Sequence, residues 1–263
     1  MTQTGCLLTY SNSSDLKERV HSDILFGCSF NRWEAGQILF TRTLLANVEA
    51  AQAGLEMKVG SMLVDAVLKT LADASADRSL KAYALTMPAI TTVAEEMKTV
   101  DPDNLAAAYR FTQRGIALAL RAELEAVYRA NTFPAQPFRA DREAIGMRRL
   151  KNTCLTYLAA IEDGPSADLC LGQVHEGAAC MTDVLAATAA LASCDSPAAA
   201  AAREEALALF YDRHAKGNDL LICKWLRIQV CSWRALLNFM LMLVVVLTRV
   251  TTLDLFFLST GGF

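Results

Sequence analysis

The sequence predicts an all-α fold, an irregular α-solenoid or superhelical array of roughly ten antiparallel helices. Of the 263 residues, 53% are hydrophobic and only 13 are glycine, and the good helix formers alanine, leucine, arginine and glutamate are abundant. No segment sustains the two-residue alternation typical of a strand. The helical stripes differ in length and follow no fixed repeat, which argues against a regular tetratricopeptide or HEAT array.

The first helices are predicted from apolar periodicity and from their capping residues. Residues 1–29 show no clear periodicity and are predicted to form an irregular lead-in. Asn31 with Glu34 three residues later forms a capping-box pattern that opens a helix, which ends near Gly54. Further helices are predicted from Ser61 through Leu71, from Asp77 to Thr86, and from a Thr92 and Glu95 box to Val100.

The second half of the chain carries clearer start signals. Asp101 before Pro102 predicts a capping carboxylate followed by proline at the first helical position. One long helix is expected to follow, with Leu105 to Val127 on it, until Pro134 and Pro137 break it. Later helices are predicted from Asp141 to Gly164-Pro165, from Ser166 to about Ala179, from Thr182 to about Ser193, from a Ser196-Pro197 cap to near Gly217, and over Leu221 to Ile228.

Charge and cysteine content exclude some classes of function. The formal net charge is −3, so no strongly basic surface indicates a nucleic-acid partner. The eight cysteines have irregular spacing without the two-residue interval of a zinc ribbon or redox motif, and they are interpreted as small buried hydrophobes in a reducing compartment. The N-terminus has no secretory signal pattern. The expected location is intracellular, in the cytoplasm or in an organelle such as a plastid.

Two tryptophan-containing pairs are candidate binding residues with simpler structural interpretations. Trp33 is predicted to be a packing anchor near the start of a helix, and Glu34 a cap, rather than an exposed binding pair. Lys224-Trp225 is predicted to combine an exposed lysine with a buried indole rather than to form a cation–π or ligand site.

A cysteine and a charge run also have structural interpretations. Cys154, beside Asn152 and Thr153, is predicted to be a buried structural thiol, because no histidine is placed to activate it as a nucleophile. The basic run from Arg148 to Lys151 is predicted to form a solvated helix face.

The segment from Phe30 to Gln37, followed by Thr41 to Leu45, resembles a distinctive stretch of the alanyl aminopeptidase (aminopeptidase N) family of zinc metallopeptidases, in its bacterial and plant branch. Shorter matches occur in the same order at Leu150–Thr153, Tyr157–Ala159, Met181–Asp183, Phe210-Tyr211, and Lys224-Trp225 with Gln229. The resemblance covers residues 30–229, which are interpreted as an incomplete C-terminal helical domain of that family.

The resemblance implies a part in peptide hydrolysis rather than the chemistry itself. The family removes N-terminal residues from peptides, and its C-terminal domain caps the catalytic domain and shapes access to an internal chamber. The expected partners are therefore the catalytic domain of the parent enzyme and, through the intact enzyme, peptides. The alternative is a free-standing helical module that binds a protein or peptide. An upstream reading frame encoding H-E-x-x-H and G-x-M-E-N would favour the first interpretation.

The intact family uses zinc, held by an H-E-x-x-H helix and a further glutamate. The chain has three histidines, His21, His175 and His214, and no two are four residues apart. His175-Glu176 begins like the motif, but Ala179 stands where the second histidine is required. No catalytic, cofactor-binding or metal-binding residue is therefore assigned in this chain, which is predicted to be inactive by itself.

The resemblance ends at Gln229, and residues 230–263 form an apolar tail. The segment from Ala235 to Leu247 is apolar except for one asparagine, and it is shorter than the roughly 20 residues that span a bilayer. A longer span would include Arg249 and Asp254, each costing about 2.5–3.5 kcal/mol at the centre of a membrane helix. A membrane partner is therefore not expected. The tail is interpreted as a translated intron, a hypothesis that genomic sequence tests.

Overall fold

The structure, a computed structural model, describes residues 29–132, 138–176 and 180–230. These three ranges contain helices and no strand, so the predicted all-α class is confirmed. Their eleven α-helices are α1 Ser29–Gln52, α2 Ser61–Ala72, α3 Arg78–Leu85, α4 Ile90–Glu95, α5 Pro102–Ala119, α6 Arg121–Ala130, α7 Arg142–Ala159, α8 Gly164–Glu176, α9 Met181–Ala192, α10 Ala200–Phe210 and α11 Asp219–Val230. A 3₁₀ turn, Pro197–Ala199, precedes α10, and a π turn, Tyr211–Ala215, follows it.

The chain divides into two compact units, of which the first contains residues 29–127 and 142–153. Within this unit α1 packs against α2, α3, α4 and α5. The core stripe of α1 consists of Phe40, Leu44 and Val48, each at most 2% exposed. Their four-residue spacing places them on one side of the helix. The first unit is thus built around its longest helix.

The second unit contains residues 128–132, 138–141, 154–176 and 180–230. Helices α8, α9 and α10 pack against one another, and α11 contacts α9 and the π turn. Small side chains such as Ala187 and Ala206 are fully buried between these helices, beside the larger Leu191 and Phe210. Small residues at the contacts allow neighbouring helices to approach closely, and the larger ones fill the remaining space.

Several predicted helix ends are confirmed because the capping groups act locally. The Asp101 carboxylate accepts a hydrogen bond from the Asn104 amide at 3.2 Å, with Pro102 opening α5. The Ser196 hydroxyl accepts one from the Ala198 amide at 3.2 Å. Helix α1 ends at Gln52, close to the end predicted near Gly54. Gly54 has a φ of 67°, a backbone conformation that favours glycine just after a helix.

Two predicted capping boxes are wrong. Because α1 already begins at Ser29, Asn31 and Glu34 lie inside its first turns rather than at its cap. Helix α4 begins after Ala89, which makes no side-chain cap, and ends at Glu95 rather than at Val100. In both places the pattern lies in the first turn of a helix that begins two residues earlier, so Asn31 and Thr92 do not occupy the position before the helix.

The long helix predicted after Pro102 is two helices. Leu120 has φ −120° and ψ 27°, which interrupts the helical path between α5 and α6. The Leu120 amide still donates to Ile116, and Leu124 still donates to the Leu120 carbonyl, at 3.0 and 2.9 Å. The chain therefore bends without a loop, and the apolar periodicity passes through the bend unchanged. Helix α6 ends at Ala130, and the two prolines predicted to break it lie outside the described ranges.

The Gly164-Pro165 pair opens a helix instead of closing one. Helix α7 ends at Ala159, and α8 begins at Gly164. The Asp163 carboxylate accepts from the Ser166 amide at 2.9 Å, so Asp163 acts as the cap that the sequence interpretation missed. Proline early in the first turn is compatible with a helix because its missing amide would have no intrahelical partner.

Two aspartates of the first unit have lowered pKa values. Hydrogen bonds from the Ser75 hydroxyl and amide, with the guanidinium of Arg32 at 2.6 Å, hold the pKa of Asp73 far below its usual value of 3.8. Hydrogen bonds from the side chain of Gln52 and from Asn104 lower the pKa of Asp101. Both carboxylates are therefore stabilised in their charged form in the folded state.

We expect the first unit to lose stability in acid. A carboxyl whose folded pKa lies below its unfolded pKa contributes stability above about 3.8, and this contribution is lost as the pH falls through the folded pKa. The melting temperature, followed by circular dichroism from pH 5 to pH 2, should therefore decrease. In the double variant Asp73→Asn/Asp101→Asn the decrease should be smaller. An unchanged slope in this variant would contradict the assignment.

Candidate functional site

A groove of about 630 Å³ lies in the first unit, between α1, α3 and the segment that leads through α4. Helix α1 supplies one side and the end of α3 with the residues after it supplies the other. Its distinctive lining side chains are Trp33, Gln37, Arg42, Tyr83, Met87 and Glu96. The groove therefore combines two aromatic rings, an apolar surface and charges of both signs.

One hydrogen bond joins the two sides of the groove. The Gln37 side-chain nitrogen Nε2 donates to the Thr86 carbonyl at 3.0 Å. Met87 is buried at 7% exposure, whereas Trp33 and Tyr83 are 39% and 50% exposed. The two sides of the groove are thus joined by a hydrogen bond, and two aromatic rings are accessible in it.

The position of Trp33 differs from the prediction. The side chain borders the groove and is not a buried packing anchor, and Glu34 beside it is exposed within α1. Residues from α3 and from the segment after it, distant in sequence, form the groove beside this tryptophan. No local pattern in the sequence indicates their proximity.

The basic run on α7 is not uniformly solvated as predicted. Lys151 is only 6% exposed, which corrects the interpretation of the run as a solvated face. The Arg149 guanidinium carbon lies 4.6 Å from the centre of the Tyr83 ring, in a cation–π contact. Within the run, Lys151 is thus buried, whereas Arg149 packs on the ring of the groove residue Tyr83.

The structure supports the structural interpretation of Lys224-Trp225. Lys224 is exposed and Trp225 is half-buried. The indole nitrogen of Trp225 donates to the Leu207 carbonyl at 3.0 Å, and its ring centre lies 5.1 Å from that of Tyr211. The indole thus fastens α11 to the end of α10.

The two histidines that the structure describes have different surroundings. His175 is partly exposed, and its Nε2 lies 2.9 Å from Glu205 Oε1. Burial, with a smaller effect of the neighbouring Arg213, lowers the pKa of His214, whose ring packs 5.6 Å from that of Phe210. Within residues 29–132, 138–176 and 180–230, no three histidine, cysteine or acidic side chains form a group that could hold a metal ion.

Three buried cysteines belong to the second unit. Cys154 and Cys170 are inaccessible, and Cys194 is 4% exposed with its Sγ 3.2 Å from the Ala159 carbonyl. Burial raises the pKa of both Cys154 and Cys194 to about 12 and raises that of Cys170 as well. A thiol that remains protonated is a poor nucleophile. These three cysteines therefore act as buried packing residues and not as nucleophiles.

We expect thiol labelling to separate these cysteines from the exposed Cys223. At pH 8, iodoacetamide should label Cys223 completely while Cys154, Cys170 and Cys194 stay unmodified. Mass spectrometry of tryptic peptides measures each site. In urea all four should be labelled, which controls for accessibility of the peptides to analysis. Rapid labelling of Cys154 in the folded chain would contradict its burial.

Across the part of the chain that the structure describes, no helix is long and apolar enough to cross a membrane. Residues 231–263 lie outside that part. The interpretation of the tail as a translated intron and the expected absence of a membrane partner therefore stay predictions.

Comparison with known proteins defines the family. The model of a family described as "Domain of unknown function (DUF3458_C) ARM repeats" matches residues 28–251. The chain belongs to this family. The match confirms the predicted solenoid-like class of helical array, because ARM repeats stack helices in this way. It extends past Gln229, the predicted end of the domain, and the predicted domain boundaries stay predictions.

Two bacterial aminopeptidases are among the curated relatives of this chain. The chain is 34% identical over 203 residues to aminopeptidase N of Escherichia coli, covering 77% of this chain and 22% of that protein. It is 33% identical over 201 residues to aminopeptidase N of Haemophilus influenzae, covering 76% and 22%. The chain thus spans less than a quarter of the length of these relatives. The predicted resemblance to the C-terminal helical domain of aminopeptidase N is confirmed.

A solved structure has the same fold. The aminopeptidase A of Legionella pneumophila, crystallised in complex with aspartic acid, matches with a TM-score of 0.68 and 19% sequence identity. The match covers 86% of this chain and 26% of that one. At this identity the similarity concerns the arrangement of the helices alone.

Proposed function

We propose that the chain is the non-catalytic C-terminal helical portion of an aminopeptidase N-type enzyme, which caps the catalytic domain and shapes substrate access while N-terminal residues are removed from peptides. The observation that carries this proposal is the match of 203 residues to aminopeptidase N of Escherichia coli, which includes most of this chain and only 22% of that enzyme. The proposed partners are the catalytic domain and, within the assembled enzyme, peptides.

Several large apolar side chains of the first unit are exposed, and contact with another domain would cover them. In the first unit, Leu55 is 68% exposed, Val100 is 54% exposed and Leu118 is 55% exposed. Single exposed apolar residues are common on soluble proteins, but covering large ones contributes about 25 cal/mol for each Å² removed from water. In the assembled enzyme the helices would form part of a wall that admits peptides and excludes folded proteins.

The reaction chemistry would belong to the catalytic domain. In the intact family, a zinc ion held by the catalytic domain would supply the Lewis-acid chemistry of peptide hydrolysis. The described residues of this chain offer no fitting set of ligands for that ion. Their contribution is to position surfaces and to exclude water and bulky substrates from the chamber.

A chimaera tests the proposal. The segment of Escherichia coli aminopeptidase N that matches this chain is replaced by residues 28–230, and hydrolysis of alanyl p-nitroanilide is measured. We expect a folded, zinc-containing enzyme with activity well above that of the enzyme lacking the segment. The same replacement with the Haemophilus influenzae segment is the control. An active control and an inactive chimaera with this chain would overturn the proposal.

The groove of the first unit favours a second candidate, the free-standing interaction module. Its accessible Trp33 and Tyr83 resemble the aromatic lining of ligand pockets. In this case the isolated chain would bind its partner without a catalytic domain, and the chimaera would gain nothing from it. A transcript that begins at Met1, without an upstream H-E-x-x-H frame, would favour this candidate.

A further inference from the structure

We propose that the groove between α1 and α3 binds a short zwitterionic peptide that carries an apolar or aromatic side chain. In this arrangement Arg42 receives the peptide carboxylate, Glu96 receives the ammonium group, and Trp33 and Tyr83 enclose the side chain. All four line the same cavity of about 630 Å³. Such a site gives the helical portion a ligand of its own, beyond the capping function.

The charges of the groove are available to a ligand. Neither Arg42 nor Glu96 forms an ion pair with any residue in the described ranges. Other charged residues of the same unit are paired, for example Arg32 with Asp73 at 2.6 Å. Arg42 and Glu96 line one cavity yet do not approach each other within ion-pair distance. A ligand with one group of each sign complements this arrangement, since each charged end meets the opposite charge.

The aromatic side chains offer apolar surface at the same place. Trp33 and Tyr83 are 39% and 50% exposed, and Arg149 holds the Tyr83 ring by a contact of 4.6 Å. A ring held in position by a cation loses little conformational freedom when a ligand covers it. Stacking an aliphatic or aromatic side chain here removes apolar surface from water on both partners.

Gln37, on the α1 side of the groove, can hydrogen-bond to a peptide backbone. Gln37 uses its Nε2 to hold the Thr86 carbonyl at 3.0 Å, which orients its amide and leaves the oxygen Oε1 as an acceptor for a peptide N–H. The volume of about 630 Å³ is within the range of roughly 300–1,000 Å³ found for small-molecule sites. It accommodates a dipeptide or tripeptide and not a folded protein.

Isothermal titration calorimetry with the dipeptide Leu-Phe tests the proposal on the full chain. Three blocked forms separate the contributions: N-acetyl-Leu-Phe lacks the ammonium group, Leu-Phe amide lacks the carboxylate, and the doubly blocked form lacks both. We expect Leu-Phe to bind, each singly blocked form to bind about tenfold more weakly, and the doubly blocked form to bind weakest.

Substitutions identify the groups that read each charge. The Arg42→Gln substitution should weaken the binding of Leu-Phe about tenfold. The variant should then bind Leu-Phe and its amide with equal affinity, because the partner of the carboxylate is gone. Glu96→Gln should weaken Leu-Phe similarly and bind Leu-Phe and its acetylated form equally. The matched controls Arg114→Gln and Glu95→Gln change exposed residues outside the groove and should leave the affinity unchanged.

The titrations with the variants either support or overturn the peptide site. Circular dichroism verifies that each variant is folded, and all four change exposed side chains. Absence of binding at millimolar Leu-Phe would overturn the proposal. So would an equal loss in the groove variants and the controls, or binding of a whole protein partner without any binding of the dipeptide. The capping function is tested separately by the chimaera, so failure of one leaves the other standing.

Discussion

Replacing Phe210 with alanine is expected to lower the free energy of unfolding of the second unit by about 3–5 kcal/mol. Phe210 is fully buried at the end of α10, and its ring packs 5.6 Å from that of His214. Truncation removes most of the ring contacts and leaves a cavity that the surrounding helices fill only in part. Urea denaturation followed by circular dichroism measures the loss.

The matched control for this substitution is Leu220→Ala in the same unit. Leu220 is 78% exposed, so its truncation should change the free energy of unfolding by no more than about 0.5 kcal/mol. Equal effects of Phe210→Ala and Leu220→Ala would show that Phe210 is not in the interior.

Replacing Asn47 with leucine is expected to cost the first unit about 2–4 kcal/mol. Asn47 is 3% exposed; its Nδ2 donates to the Thr112 hydroxyl at 3.0 Å, and its Oδ1 accepts from the Lys58 amide at 2.9 Å. Leucine removes both interactions. Leaving the buried Thr112 hydroxyl without its partner costs about 1–3 kcal/mol, and losing the part-buried hydrogen bond to the Lys58 amide adds about 1 kcal/mol, which together give the expected range. The measurement is again urea denaturation.

A double substitution separates hydrogen bonding from packing at this position. Thr112 is fully buried, so in Asn47→Leu/Thr112→Val the hydroxyl that lost its partner is itself removed. The double variant should therefore be about 1 kcal/mol more stable than Asn47→Leu alone. Gln52→Ala, at an exposed hydrogen bond to Asp101, should have a small effect. A double variant less stable than the single one would contradict this explanation.

Local chemistry explains which features of the fold could be predicted. The cap at Asp101, the start near Ser196 and the end near Gly54 depend on a few neighbouring residues, and the structure has all three. The box at Asn31 with Glu34 is misleading because the same residue types also occur inside helices. The break at Leu120 could not be predicted, since the apolar period continues through it.

The groove depends on contacts between distant parts of the chain. Trp33 and Tyr83 are fifty residues apart, and Glu96 belongs to a third segment. Hydrophobicity predicts a tryptophan in the interior, and only the packing of α3 against α1 decides that Trp33 borders an open surface. The burial of Lys151 is a similar case, because charge alone predicts an exposed side chain.

The π turn after α10 gives this part of the chain a tolerance for changes of length. In Tyr211–Ala215 the Lys216 amide donates to the Tyr211 carbonyl, five residues earlier, at 2.9 Å, so the backbone accommodates one residue more than a regular α-helical turn. Deleting one residue here would convert the widened turn into an ordinary one and keep α11 in register. The same deletion in the middle of α10 would rotate every later side chain by about 100°. Evolutionary insertions and deletions in this part of the chain are thus expected at residues 211–215.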